Sequence, residues 1–443
     1  MKNDNARLEA LAQFVIGEAK RLGASDSDVS ISTWSSVDTT VRLGEVEKLE
    51  TAAQGRSLSL RAFVGQVVTS ASTSDFTRRN LTKLVRSTIA LAKAAQPDEY
   101  AGLPDKEDLA TALADLDLTD VSISKMSVAD KIALAKTCED SARGFDTRVT
   151  NSQGASFSDS LGFTVYANSR GFTGSYSGSR CSLSCSVIAQ QGDSMQTDGW
   201  YASNRKLALL GTPDSIGKEA ARRVLRRLGA VRGKSQEVPV VFDPVMAAGL
   251  LGQFAGVAAG GAIYRRTSFL VDKLGEQVAC PDLTVIDDAL IPGGLGSRPF
   301  SGEGLAGRQR TIVENGKLAS YFLDSYSARK LGTKPNGGGQ SNLYIKPGTK
   351  TPEEIIASVK NGLYLTHVSG PGFNGVTGDY SRGASGIWIE NGELAHPVQE
   401  ITIAGNVLEM LKSIEAIGND LEFRSSVASP TLKIGSMMIA GKQ

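Results

Sequence analysis

Near the N-terminus Leu8, Leu11, Val15, Ala19 and Leu22 fall on one helical face, which predicts a helix over 6–22 that Gly23 ends. Alternation of apolar and polar residues then predicts strands over 28–34, 38–43, 57–64 and 65–72. Leu81, Leu84, Val85, Thr88 and Ala92 mark a second helix over 76–95. The stretch 97–126, with Pro97, Pro104 and many aspartates, has the texture of a linker with short helical pieces. The same order then returns. A helix over 127–143 (Val128, Ile132, Ala135, Cys138, Ala142) precedes β-type runs at 147–158, 161–168, 172–177 and 181–191. A helix over 213–228 follows, with Ile216, Ala220, Val224 and Leu228 inward. Two passes of helix, strands and helix suggest two related α+β units, on element order alone, since no sequence self-similarity accompanies it.

After "RGKSQEVPVVFDP" the pattern changes to short strands punctuated by glycine, with helices at 244–259, 352–363 and 406–416. Asn-Gly sits between β-type runs in "TIVENGKLASYFLD" (311–324) and "GIWIENGELAHPV" (386–398). That dipeptide predicts hairpins, because both residues tolerate the positive φ of a type I′ turn. The expected fold is therefore α+β: an N-terminal unit (1–96), a linker (97–126), a middle unit (127–233), and a strand-rich, curved-sheet or barrel-like domain (234–443).

A length of 443 residues accommodates two or three such units. With 48 basic and 47 acidic residues the net charge is +1, so no global field draws the chain to nucleic acid or anionic lipid. The 21 uncharged residues from Pro244 to Tyr264 are long enough to span a bilayer. Their Ala/Gly content, Gln253 and the Gly260-Gly261 pair favour a buried helix of a large domain instead. Four cysteines, irregularly spaced, make no disulfide framework, and "MKNDNARLEA" lacks a signal-peptide core, so a cytoplasmic location is expected.

The chemistry-bearing residues are sparse. His367 and His396 are the only histidines, 29 positions apart and neither followed by Glu, so they cannot form a zincin pair and suit structural or surface roles. Cys181 and Cys185 share a strand face, yet no second Cys or His pair accompanies them, and buried small hydrophobes are the better reading. The glycine loops "GLGSRPFSGEG" (294–304) and "PNGGGQSN" (335–342) match no phosphate-loop pattern and suit turns or peptide-contacting loops. "RGASG" (382–386) falls short of a nucleophile elbow, and the basic run "ARRVLRRLG" (221–229) suits a solvated helix face.

One long stretch is more specific. "SGPGFNGVTGDYSRGASGIWIENGELAHPVQEITIAGNVLEMLKSIEAIGNDLEF" (369–423) resembles the C-terminal signature of the TldD/PmbA family, and "VTGDYSRGASGIWIENGE" with "EITIAGNVLEML" is similar to its PmbA (TldE) branch. "RTIVENGKLASYFLDSYSARKLGTKPNGGG" (310–339) and "EGLAGRQR" (303–310) extend the resemblance, which runs in order along the whole chain and is strongest over 235–443. In the TldD branch a helix bearing H-E-x-x-x-H and a Cys near the C-terminus bind zinc. The matching helix here, with "GLLGQFAGVAAG" (249–260), has no His or Glu, and "RSSVASPTLKIGSMM" has no Cys.

The resemblance implies a metal-free subunit that pairs with a zinc-bearing TldD-like peptidase acting on unfolded or short peptides, with no cofactor of its own. It further implies that glycine-rich hairpins form part of a chamber wall, where Asn336, Gln340, Asn374, Asp379, Tyr380 and Arg382 are the candidates for substrate or interface contacts. Deleting 335–342 is then expected to lower peptide cleavage by the complex and spare assembly. Two rival readings are a non-enzymatic homodimer that binds peptides or serves structurally without a peptidase partner, and a self-standing hydrolase with an unrecognised site.

Overall fold

The computed structural model describes residues 2–441. The first pass comprises α1 (Lys2–Arg21), β1 (Asp26–Arg42), β2 (Glu45–Val64), β3 (Val67–Thr73) and α2 (Arg78–Ala92). Two single-turn 3-10 helices, Lys106–Asp108 and Ile123–Lys125, lie in the following stretch. The second pass comprises α3 (Val128–Arg143), β4 (Val149–Asn168), β5 (Thr173–Gln191), β6 (Ser194–Asn204) and α4 (Pro213–Leu225). The two passes share one sheet: β1 and β4 pair antiparallel from Asp28↔Asn168 to Val41↔Ala155, giving the order β3-β2-β1-β4-β5-β6.

Alternate residues decide what each face meets. Val29, Ile31, Val165 and Ala167 pack under α1 and α2, while Ala155, Phe157, Leu183 and Cys185 pack under α3 and α4. The intervening positions, among them Asp28, Ser30, Ser59 and Arg61, present a polar face on the other side. The passes are also tied at a turn. Leu43 and Gly44, both at positive φ (52° and 81°), give their N–H groups to the two oxygens of Glu139 on α3, each at 2.9 Å. Glu139 is fully buried, so this carboxylate is satisfied by the hairpin it holds.

The strands are longer than alternation alone indicates. The predicted runs 28–34 and 38–43 are one strand, as are 147–158 with 161–168 and 172–177 with 181–191. Serine, glycine and aspartate interrupt the pattern there, but neighbours on both sides supply the ladder hydrogen bonds, and pairing overrides propensity. Residues 45–56 of β2 and all of β6 carry no clear strand pattern and are strands nonetheless. Glu45–Thr51 are exposed, so no buried face imprints a period on them.

The last domain runs β7 (Val231–Arg232), β8 (Gln236–Phe242), α5 (Pro244–Val257), α6 (Gly260–Tyr264), β9 (Val285–Asp288), β10 (Gln309–Glu314) and β11 (Lys317–Leu318). Then come α7 (Ser325–Lys330), β12 (Asn342–Ile345), α8 (Pro352–Ala357), β13 (Asn361–Ser369), β14 (Asp379–Glu390) and β15 (Glu393–Asn406). It ends with α9 (Val407–Lys412), β16 (Ile414–Ile417), β17 (Val427–Ala428) and β18 (Leu432–Ala440). β18 pairs with both β8 and β15, so β8-β13-β14-β15-β18 close into a five-stranded barrel. A second sheet has the order β11-β10-β9-β12-β17. Both Asn-Gly turns form as expected, with Asn315 and Gly316 at φ 49° and 79° and Asn391 and Gly392 at 51° and 85°.

α5 lies in the core between barrel and second sheet, where Leu250, Leu251 and Phe254 pack with Phe242, Leu283, Val285 and Leu363. The apolar run 244–264 is split at Ala258–Ala259 into α5 and α6, and no described helix is long and apolar enough to cross a membrane. Two helices are shorter than their periodicity suggests. The segment 352–363 is helical only to Ala357 and enters β13 at Asn361, and 406–416 is helical only over Val407–Lys412 before β16.

Candidate functional site

Two places combine a cavity with chemistry-bearing elements. The first is α5, N-capped by Asp243, whose side chain accepts the Met246 N–H at 2.8 Å. Its outer face carries Val245, Ala248, Gly249 and Gly252, which line a cavity of about 250 Å³ opposite Arg424, Ser425 and Val427–Ser429, with Tyr201 of β6 at one side. The helix and the C-terminal segment that the resemblance above associates with zinc thus face each other. The donor set does not fit the metal. Glu422 is the one carboxylate lining the cavity, and it is paired with Arg424. Among the described residues no group of three or more His, Cys, Asp or Glu stands together.

The histidines and cysteines lie elsewhere. His367 sits at a bulge of β13, and His396 on β15 lies 3.7 Å from Glu390. Partial burial, followed by the charges of Arg227, Arg223 and Arg382, holds the His367 imidazole below its ordinary range, with Asp198 acting the other way. Cys138, Cys181 and Cys185 are buried in the core under α3 and α4, and Cys280 is buried in the last domain. Burial pushes the Cys181 thiol up to about 12, the opposite of what a nucleophile needs. The basic run of α4 is only partly a solvated face. Arg222 is exposed, but Arg223 is buried, with its guanidinium over Trp200 (4.6 Å) and 3.5 Å from Asp243, and so joins α4 to the barrel domain.

The second place is a cavity of about 660 Å³ between the polar face of the six-stranded sheet and the loops of the last domain. Its floor is built by register: Arg61 pairs with Asp28 and Ser70, and Ser59 pairs with Ser30 and Ser72, with Tyr166 beside Ser30. Asp28 is buried, and its Oδ2 accepts from Arg61 Nε (3.0 Å) and Nη2 (2.5 Å) and from the Tyr166 hydroxyl (3.2 Å). Burial raises the Asp28 pKa and Arg61 opposes the rise. The far wall is Arg298, Ser301–Glu303, Asp324 and Gly337–Gly339. Glu303 Oε2 accepts both the N–H and the hydroxyl of Ser325 (2.9 Å each), and its Oε1 lies 3.9 Å from Arg61.

Of the six residues singled out from the sequence, the structure brings Asn336 and Gln340 near this cavity and places the others elsewhere. Asn336 is a scaffold hub. It accepts from Arg310 Nη1 (2.7 Å) and the Leu323 N–H (2.9 Å), and donates to Ser320 Oγ (3.0 Å) and the Tyr321 carbonyl (2.8 Å). The Gln340 carbonyl accepts from Arg298 at 3.1 Å. Asn374 and Asp379 form local turns at the start of β14, Tyr380 is buried, and half-buried Arg382 donates to the Gly370 carbonyl at 3.0 Å. Deleting 335–342 would also remove Ser341 and Asn342, both buried, which bind Asp287 and Ser297. Point substitutions are therefore the cleaner probe. Asp28, Arg61 and Tyr166 carry no sequence signal, and Glu303 lies in segments the sequence singled out without marking that side chain; the four lie far apart along the chain, and only strand register and domain packing unite them.

Comparison with known proteins agrees with this geometry. Residues 235–441 match the PmbA/TldA metallopeptidase C-terminal domain and 122–228 its central domain. The chain is 38% identical to a metalloprotease PmbA homolog of Haemophilus influenzae over 100% of its own length and 98% of the relative's. It is also 38% identical to metalloprotease PmbA of Escherichia coli O157:H7, over 95% and 93%. A crystal structure of a proposed modulator of DNA gyrase from Bacteroides thetaiotaomicron superposes with a TM-score of 0.93 at 31% identity, covering 98% of each chain. With end-to-end relatives of the PmbA type and a barrel domain that carries the family's helix, the chain belongs to the PmbA/TldD metallopeptidase family.

Proposed function

We propose that this chain is the metal-free, TldE-type subunit of a heterodimeric peptidase, in which a TldD-like partner supplies zinc and this subunit supplies part of the wall that holds the peptide. One observation carries the reading. α5 and the C-terminal segment meet at a cavity, as a metal site would require, yet Val245, Ala248, Gly249 and Gly252 face Arg424, Ser425 and Val427, and the carboxylate of Glu422 is paired with Arg424. Zinc binds through His, Cys and carboxylate donors, and aliphatic side chains offer none. The family and the metalloprotease names of the relatives support a role in peptide processing. A structure titled TldE, from Thermococcus kodakarensis, shares the fold at a TM-score of 0.86 and 21% identity.

The test is co-purification with the TldD-like protein of the same host, then metal analysis and a peptide-cleavage assay. A one-to-one complex whose zinc and activity vanish on mutating the partner's histidines supports the proposal. A chain that purifies alone, binds no such partner and cleaves peptides by itself refutes it.

A further inference from the structure

The cleft between the six-stranded sheet and the last domain has an uneven charge balance at its waist. A second cavity of about 300 Å³ continues from the first and shares Arg61, Ser70 and Glu303 with it, so Glu303 stands where the two meet. The guanidiniums are engaged: Arg61 serves Asp28 Oδ2 and lies 3.9 Å from Glu303 Oε1, and Arg298 serves the carbonyls of Gly339 (2.6 Å) and Gln340 (3.1 Å). Each of three carboxylates keeps one oxygen open to a further donor. Among the described residues Asp28 Oδ1, Glu303 Oε1 and Asp324 Oδ2 receive no hydrogen bond; Asp28 and Asp324 bond only through their other oxygens, as does Glu303 through Oε2. Ser30, Ser59, Ser70 and Ser72 line the floor with hydroxyls that have no side-chain partner among the described residues.

We propose that this groove binds an extended peptide segment through a cationic group, an ammonium or a guanidinium, which donates to Glu303 Oε1 with Asp28 and Asp324 supplying further negative charge. The proposal rests on the peptide-wall reading above and adds the class of peptide. The first cavity is within the range of about 300–1,000 Å³ typical of ligand sites. The serine hydroxyls suit a chain of alternating N–H and C=O groups, and a charge-assisted bond in a partly water-excluded cleft is stronger than one at the surface. A divalent metal is a poorer occupant, since these carboxylates do not converge as a ligand set.

The experiment is calorimetric titration of the full chain with three alanine-based pentapeptides. One is acetylated, amidated and carries a central lysine; one has glutamine in its place; one is the glutamine peptide with a free amino terminus. Expected is binding at least tenfold tighter for a cationic peptide than for the neutral one, with the lysine and free-amine arms showing which source of charge the groove takes. Glu303→Gln, whose amide oxygen can still accept from Ser325, should bring all three within about twofold, and its thermal unfolding is followed alongside. Asp324→Asn, at an exposed position, should lower the preference by a smaller factor and serves if Glu303→Gln unfolds. Equal binding of all three peptides overturns the charge preference while sparing the wall reading, as does a preference that survives both substitutions. No binding of any peptide overturns both.

Discussion

At the residue scale the structure separates side chains that hold the fold from those free to meet a ligand. Asn336 uses its amide in four hydrogen bonds. Asn336→Ala should therefore cost about 1–3 kcal/mol, because it strands part-buried partners, and chemical denaturation would read the loss. A substrate-contacting role alone would leave the unfolding midpoint unmoved. His367 offers a titration. Its folded pKa lies below the ordinary 6.5, so the unfolded chain binds the proton more readily. The stability it contributes is present above pH 6.5 and is lost as pH falls through the folded value. Arg227→Gln should raise the His367 midpoint toward 6.5 by removing a neighbouring positive charge, observable by NMR titration; an unchanged midpoint would show that the Arg227 charge does not act on the imidazole.

At the element scale α5 gives the clearest prediction. A Cβ added at Gly249, Gly252 or Gly256 would meet nothing within 4 Å. Alanine at each should stabilise the isolated chain by about 0.4–1 kcal/mol through reduced unfolded-state entropy, seen as a higher Tm. Gly316 is the opposite case. Its φ of 79° and the closeness of Gln277, Ala279 and Cys280 to its missing Cβ make Gly316→Ala destabilising, and thermal unfolding of the variant should show a lower Tm. Both Asn-Gly hairpins were legible because turn chemistry is local. The first half of β2 was not: its residues are exposed and its sole strand neighbour there is β1, so nothing but backbone pairing makes it a strand.

For the whole molecule, arginine-to-carbonyl clamps fix the last domain against the 97–126 segment and the end of β6. Arg329 of α7 donates to the carbonyls of Tyr100, Gly102 and Leu103, and Arg205 donates to those of Gly294, Leu295 and Ser297. Arg329→Ala should loosen the 97–126 segment, and limited proteolysis should then cut within it sooner than in the parent chain. By itself the sequence determined what local chemistry determines: helix faces, Asn-Gly turns, an α+β order ending in a strand-rich domain, and the missing His, Glu and Cys on the matching helix and tail. It could not join 28 to 168 across a shared sheet, bring β18 back against β8 and β15, or set Asp28, Arg61 and Glu303 around one cleft. Those contacts span many tens to hundreds of residues, and only the packing of buried faces, which no local pattern encodes, selects them.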